Sequence, residues 1–220
     1  KKAILENLQD PVSRRKIIAY LKDKERNLGE ILIATSEANP ALVGKKLNQI
    51  AANQEISTAE ALLNMITDTN AQVVVFDQNL SESSLSILLR HPLSMIASDG
   101  AGYNFAYSPS HGLVHPRCFG TFPKFLSMIR DKKVDITWSE AVKKITSRPA
   151  EKAGIKKRGR LVAGSFADIV VFDPRDVGST ATYENPYQES DGIDYVLVNG
   201  RIVVFLGQAM GQPAGEVLRV

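Results

Sequence analysis

SESSLSILLRHPLSMIASDGAGY, residues 81–103, sets a helix against a strand and ends on an acid. SESSLSILLR (81–90) has the pattern of a helix, LSMIA (93–97) that of a short apolar strand, and Ser98, Asp99 and Gly100 follow at once. The same alternation extends upstream. EILIA (30–34) and VVVF (73–76) are further apolar runs of strand length. DPVSRRKIIAYLKDKER (10–26) is a helix that Asp10 can cap, with Pro11 in its first turn and Ile17, Ile18 and Leu21 as its apolar stripe. LNQIAA (47–52) and STAEALLNMITD (57–68) are also helical, the second opening on a capping box of Ser57 and Glu60. Each strand is followed by helix, and the runs are apolar without strict alternation. That pattern predicts parallel strands covered on both faces, in an α/β barrel or a doubly wound sheet.

Downstream the character changes. FPKFLSMIR (122–130), WSEAVKKIT (138–146) and RPAEKAG (148–154) are helical, whereas ADIVVFDP (167–174), IDYVLVNG (193–200) and RIVVF (201–205) are strands rich in Val and Ile. Asn199-Gly200 joins the last two as a tight hairpin, because both residues accept positive φ. The tail GQAMGQPAGEVLRV (207–220) is expected to lie over the surface.

Composition limits the function classes. Of 220 residues, 44% are apolar and 23% charged, as in a globular protein with a sizeable core. No run of about 18 apolar residues exists, so no membrane span or membrane partner is expected. A single cysteine, Cys118, forbids an intramolecular disulfide and fits a reducing, cytoplasmic compartment. Net charge is +3, and the short basic cluster KKRGR (156–160) is too small to predict nucleic-acid binding.

Functional side chains in α/β sheets and barrels sit at the carboxyl ends of strands. Asp99 occupies such an end, followed by Gly100 and Gly102. Its carboxylate suits a metal or a proton from metal-bound water, or equally a capping role in the next segment. Of the three histidines, His91 precedes a proline and suits a structural or solvent-facing place. His111 and His115 fall in SPSHGLVHPRCFGTFPK (108–124), a loop long enough to be functional. Arg117 in this loop is either an anion clamp or half of a surface ion pair. Cys118 suits a small buried apolar role better than a nucleophile.

MIASDGAGY, HPRCFGTFPKFL, ITWSEAVKKITSRPAEKAGIKKRGRLVAGSFADIVVFDP and GIDYVLVNGRIVV together resemble the C-terminal half of the N-acyl-D-amino-acid deacylases (D-aminoacylases) of the metal-dependent amidohydrolase superfamily. The likeness runs collinearly from the first helix to about residue 205. The TSRPAEKAGI to ADIVVFDP stretch belongs to the superfamily broadly; SDG, HPR, GTFPK and TYENP (182–186) are more specific to this branch. The resemblance implies the C-terminal part of a (β/α)8 TIM barrel, residues 1–155, and C-terminal strands of a small β-sandwich, residues 156–220. EILIA, VVVF and LSMIA would be the last three barrel strands. It implies hydrolysis of N-acyl-D-amino acids with Zn2+. Asp99 would lie beside the metal as ligand and proton shuttle, Arg117 would hold the substrate α-carboxylate, and His115 would shape the loop.

The family's His-x-His pair, bridging ligand and two further histidines have no counterpart here, and Ala97 stands where relatives usually carry glycine. The zinc ligands are therefore expected upstream of this chain, which alone should be inactive. Its partners would be a small-molecule substrate and either the missing N-terminal half or a second copy. A cyclic-amide hydrolase of the same superfamily, or a non-catalytic interaction module, are the alternatives.

Overall fold

The computed structural model describes residues 1–22, 25–100, 102–103 and 112–218. They form two compact units, each assembled from separate stretches of the chain: residues 1–79, 102–115 and 182–187 in the first, and 80–101, 116–181 and 188–220 in the second.

The first unit opens with α1 (Lys2–Gln9), α2 (Pro11–Lys22) and α3 (Glu25–Leu28). Asp10 caps α2 as expected, its Oδ2 accepting from Ser13 N at 2.7 Å. β1 (Leu32–Ser36), a 3-10 turn at Pro40–Leu42, α4 (Leu47–Gln54), α5 (Thr58–Asp68) and β2 (Val73–Phe76) follow. Ile31, Ile33, Leu47, Ile50, Ala51, Ala61 and Met65 make one core, which Val73 and Val75 flank. The capping box of α5 is complete: Ser57 Oγ accepts from Glu60 N at 3.2 Å, and Glu60 Oε2 accepts from Ser57 N at 3.0 Å.

β1 and β2 pair antiparallel, with Leu32 opposite Phe76 and Ser36 opposite Val73. This corrects the parallel pairing expected from the sequence. An apolar run without alternation reports that both faces are covered, not which way the neighbour runs. β1 is nearly all buried, and residues 44–47 also run back along it, with Gly44 N donating to Ile33 O and Leu47 N to Ile31 O.

The second unit contains α6 (Glu82–Arg90), α7 (Arg117–Arg130), α8 (Trp138–Ile145), α9 (Ser147–Lys152), β3 (Ile169–Phe172), β4 (Gly178–Ser179), β5 (Ser190–Asp191), β6 (Ile193–Val198), β7 (Arg201–Phe205) and β8 (Gln208–Ala209). The sheet is antiparallel in the order β3-β6-β7-β8, with β4-β5 a separate pair. Phe125, Leu126, Ile129, Val134, Ala141 and Val177 form the core, against which Ile96, Trp138, Phe172 and Ile193 pack. Asn199 and Gly200 turn the β6–β7 hairpin at φ of 51° and 78°, as the sequence predicts. Arg158 ties that turn down: it pairs with Asp168, donates to Asn199 Oδ1 at 2.6 Å and lies over the Phe166 ring at 4.2 Å.

LSMIA (93–97) is not a strand, a second correction. A strand needs a ladder, and here the backbone bonds elsewhere. Lys144 of α8 is fully buried, and its Nζ donates to His91 O at 2.5 Å, Ser94 O at 3.2 Å and Ser94 Oγ at 2.8 Å. Ile96 N in turn donates to Lys144 O at 3.3 Å. Burial pushes the pKa of Lys144 down, helped by the nearby Arg148 and opposed by Glu140.

Ser57→Ala should lower stability by about 1 kcal/mol in urea unfolding near neutral pH. The Ser57 hydroxyl and N–H hold the Glu60 carboxyl below the usual range, so that contribution is complete above the unfolded-state pKa and fades as pH falls. The gap between variant and wild type should therefore narrow in acid.

Candidate active site around Asp99 and Arg117

α7 begins at Arg117, inside the stretch expected to be loop, because Pro116 O accepts from Phe119 N and Gly120 N and starts the first turn. Helix geometry therefore aims the guanidinium. Arg117 Nη2 reaches Asp99 Oδ2 at 2.5 Å, and Cys118 Sγ donates to Asp99 O at 2.9 Å. The carboxylate sits by the positive end of a 14-residue helix, which suits its charge. Both partners are largely exposed, with side chains 51% and 72% accessible, so the pair contributes at most about 1 kcal/mol. Its meaning is positional: a guanidinium and a carboxylate are brought within one hydrogen bond. Cys118 is half-buried and bonds a carbonyl, a supporting place rather than a nucleophile's.

The residues before Pro116 are fixed separately, within the first unit. Leu113 N donates to Ala34 O of β1 at 2.8 Å, and Gly112, at φ +97°, lies so close that a Cβ would meet Ala34 O at 2.7 Å. Tyr187 OH donates to Gly112 O at 2.7 Å. Tyr183 OH meets His115 Nε2 at 3.1 Å, and the two rings pack edge to face on each other and beside Phe76. His115 is thus a loop-holding residue. The sequence marked TYENP without revealing its purpose; aromatic residues flanking its proline were the available hint. His91 is exposed, its Nδ1 accepting from Leu93 N at 3.2 Å, and His111 lies outside the described residues.

Among the described residues no group of three or more His, Cys, Asp or Glu is placed to hold a metal ion. Asp99 offers one carboxylate, too few donors for zinc. An apolar cleft of about 610 Å3, lined by Phe122, Leu126, Val142, Ile145, Val170 and Phe172 among others, includes neither Asp99 nor Arg117. Among the described residues no helix is long and apolar enough to cross a membrane.

Residues 78–204, which include Asp99, Arg117, strands β3 and β6 and all but the last residue of β7, match the Amidohydrolase family. The chain belongs to that family. It is 34% identical over 197 residues to a D-aminoacylase of Alcaligenes xylosoxydans xylosoxydans, a match covering 90% of this chain and 38% of that protein. A crystal structure of D-aminoacylase superposes with a TM-score of 0.73 at 33% identity, over 87% of this chain and 38% of the other. N-acyl-D-glutamate deacylase from Bordetella bronchiseptica, solved with zinc and a phosphonate mimic of the tetrahedral intermediate, superposes at 0.68 with 30% identity, over 90% of this chain and 39% of its own. The mixed helix and strand fold thus resembles part of the D-aminoacylase fold, and this amidohydrolase chain spans well under half the length of the relatives it matches.

Gly120 of the GTFP run is where α7 meets β4. A Cβ there would fall 2.0 Å from Ser179 Oγ and 2.7 Å from Ser179 Cβ. Gly120→Ala should cost about 1–3 kcal/mol in denaturant unfolding. Adding Ser179→Gly should recover at least half of the loss; an unchanged midpoint in the single variant would show that β4 yields freely.

Proposed function

We propose that this chain is the C-terminal part of a zinc-dependent amidohydrolase that cleaves the amide bond of N-acyl-D-amino acids. The observation that carries the proposal is the 2.5 Å approach of Arg117 to Asp99, on HPR and SDG motifs like those of the deacylases. In an N-acyl amino acid the carboxylate and the amide nitrogen are attached to one carbon. A substrate whose carboxylate is held by the Arg117 fork therefore brings its scissile amide beside Asp99. There the Asp99 carboxylate takes a proton from the attacking water and returns it to the nitrogen as the C–N bond breaks. The products are a carboxylate and an amino acid.

Zinc belongs to this reading through the relatives, and most of its ligands would lie in the portion of the enzyme that this chain does not span. In the same reading residues 1–155 correspond to the last strands and helices of a (β/α)8 barrel, with β1 and β2 antiparallel and residues 93–97 not in a strand here, and 156–220 to C-terminal strands of a small β-sandwich. The partner would be the rest of the enzyme, or a second copy. Exposed Ile87 and Leu88 on α6, with Leu93 and Met95 after it, support such a covered surface.

In the complete enzyme Arg117→Ala should lower kcat/KM on N-acyl-D-amino acids by roughly ten- to several hundredfold, chiefly through KM, with Arg117→Lys recovering part. An N-acyl amine without a carboxylate should be insensitive to the change. Unaltered kinetics on the amino-acid substrate would defeat the substrate assignment. Asp99→Asn should cut kcat by about 10²–10⁴. Metal analysis should find zinc in the complete enzyme and almost none on residues 1–220 alone.

A further inference from the structure

Lys144 is buried without an ion-pair partner among the described residues; its ammonium faces only neutral oxygens, those of His91 and Ser94. An aliphatic side chain of similar size would occupy the same space without the cost of desolvating a charge. Its nearest charged neighbours, Glu140 and Arg148, pair with each other at 2.7 Å. Neutralising a nearby carboxylate therefore does not explain the ammonium, but the donors it supplies do. All three protons of Nζ are taken up by oxygens of His91 and Ser94, in a stretch that forms no strand, and Ile96 N returns a hydrogen bond to Lys144 O. The chain leaves this anchor at Ile96 and reaches Asp99 three residues later, with no regular structure between.

We propose that Lys144 is a positioning residue for Asp99: it fixes the point from which residues 97–99 extend to the carboxylate. Arg117 and Cys118 hold Asp99 from the far side, at its carboxylate and carbonyl. The acid is thereby held from both ends, and removing the ammonium frees one of them. The catalytic consequence rests on the deacylase reading above; the anchoring does not.

The test is Lys144→Met in the complete enzyme, read by steady-state kinetics, amide hydrogen exchange and thermal unfolding. The expected result is at least a tenfold fall in kcat with KM within about twofold. The Leu93, Ser94 and Ile96 amides should exchange at least tenfold faster while the Asn199–Gly200 hairpin is unchanged. Lys144→Arg should restore part of kcat. Ser94→Ala, which removes one acceptor and is the milder change should Lys144→Met not fold, should lower kcat about two- to fivefold with the same pattern. A lowered melting temperature with kcat within twofold of wild type would overturn the positioning role. Unchanged exchange at residues 93–96 would overturn the anchor itself. If the wild-type enzyme does not cleave N-acyl-D-amino acids, the deacylase reading falls and the exchange data still decide whether Lys144 holds the segment.

Discussion

An ammonium group removed from water must find an oxygen for every proton, or the fold that encloses it loses several kcal/mol. Lys144 meets this condition with the His91 and Ser94 carbonyls and the Ser94 hydroxyl. The constraint works in both directions. Among the described residues, residues 91–96 have no strand partner and so need Lys144, and Lys144 has no paired carboxylate and so needs them. α8, which carries the lysine, is held by Ala141 and Ile145 in the same core that receives Ile96. The acid that follows therefore starts from a segment anchored in the core of its unit.

The other side of the candidate site depends on a helix start. Arg117 and Cys118 are the first two residues of α7, so their directions follow from the first turn rather than from a loose loop. Gly120 and β4 then fix α7 by close approach, and Phe125, Leu126 and Ile129 fix it by burial. Site residues on such supports can be exposed and still be well placed. That is why the weakness of a solvent-accessible ion pair matters little: geometry, not binding energy, is what the pair contributes.

Much of this was legible in the residues. Caps at Asp10 and Ser57, the Asn199-Gly200 turn and the helices of the second unit act over a few positions, so spacing reveals them. Asp99 and Arg117 stood out as candidates through their motifs, but neither spacing nor family likeness announced that the two side chains would meet. What stayed hidden is long-range. VVVF gives no hint of strand direction, since burial on both faces is common to parallel and antiparallel neighbours. LSMIA looks like a strand because its side chains are apolar, yet its backbone is claimed by a lysine 50 residues away. Lys144 itself sits in a run of charged helix residues, where only periodicity against Ala141 and Ile145 could have marked it as inward. Tyr183 and His115, 68 positions apart, pair through tertiary structure alone.

The Asn199-Gly200 turn has a consequence for how the protein ages. Asparagine before glycine is the dipeptide most open to succinimide formation, in which the glycine nitrogen attacks the side-chain amide carbon. Here Gly200 N is engaged by Ala167 O at 2.9 Å, while Asn199 Oδ1 is held by Arg158 and its Nδ2 by Ala214 O at 2.8 Å. Attacking atom and target are each tied to a different neighbour, so the residue that makes the hairpin is also shielded from the chemical clock that such a turn usually starts.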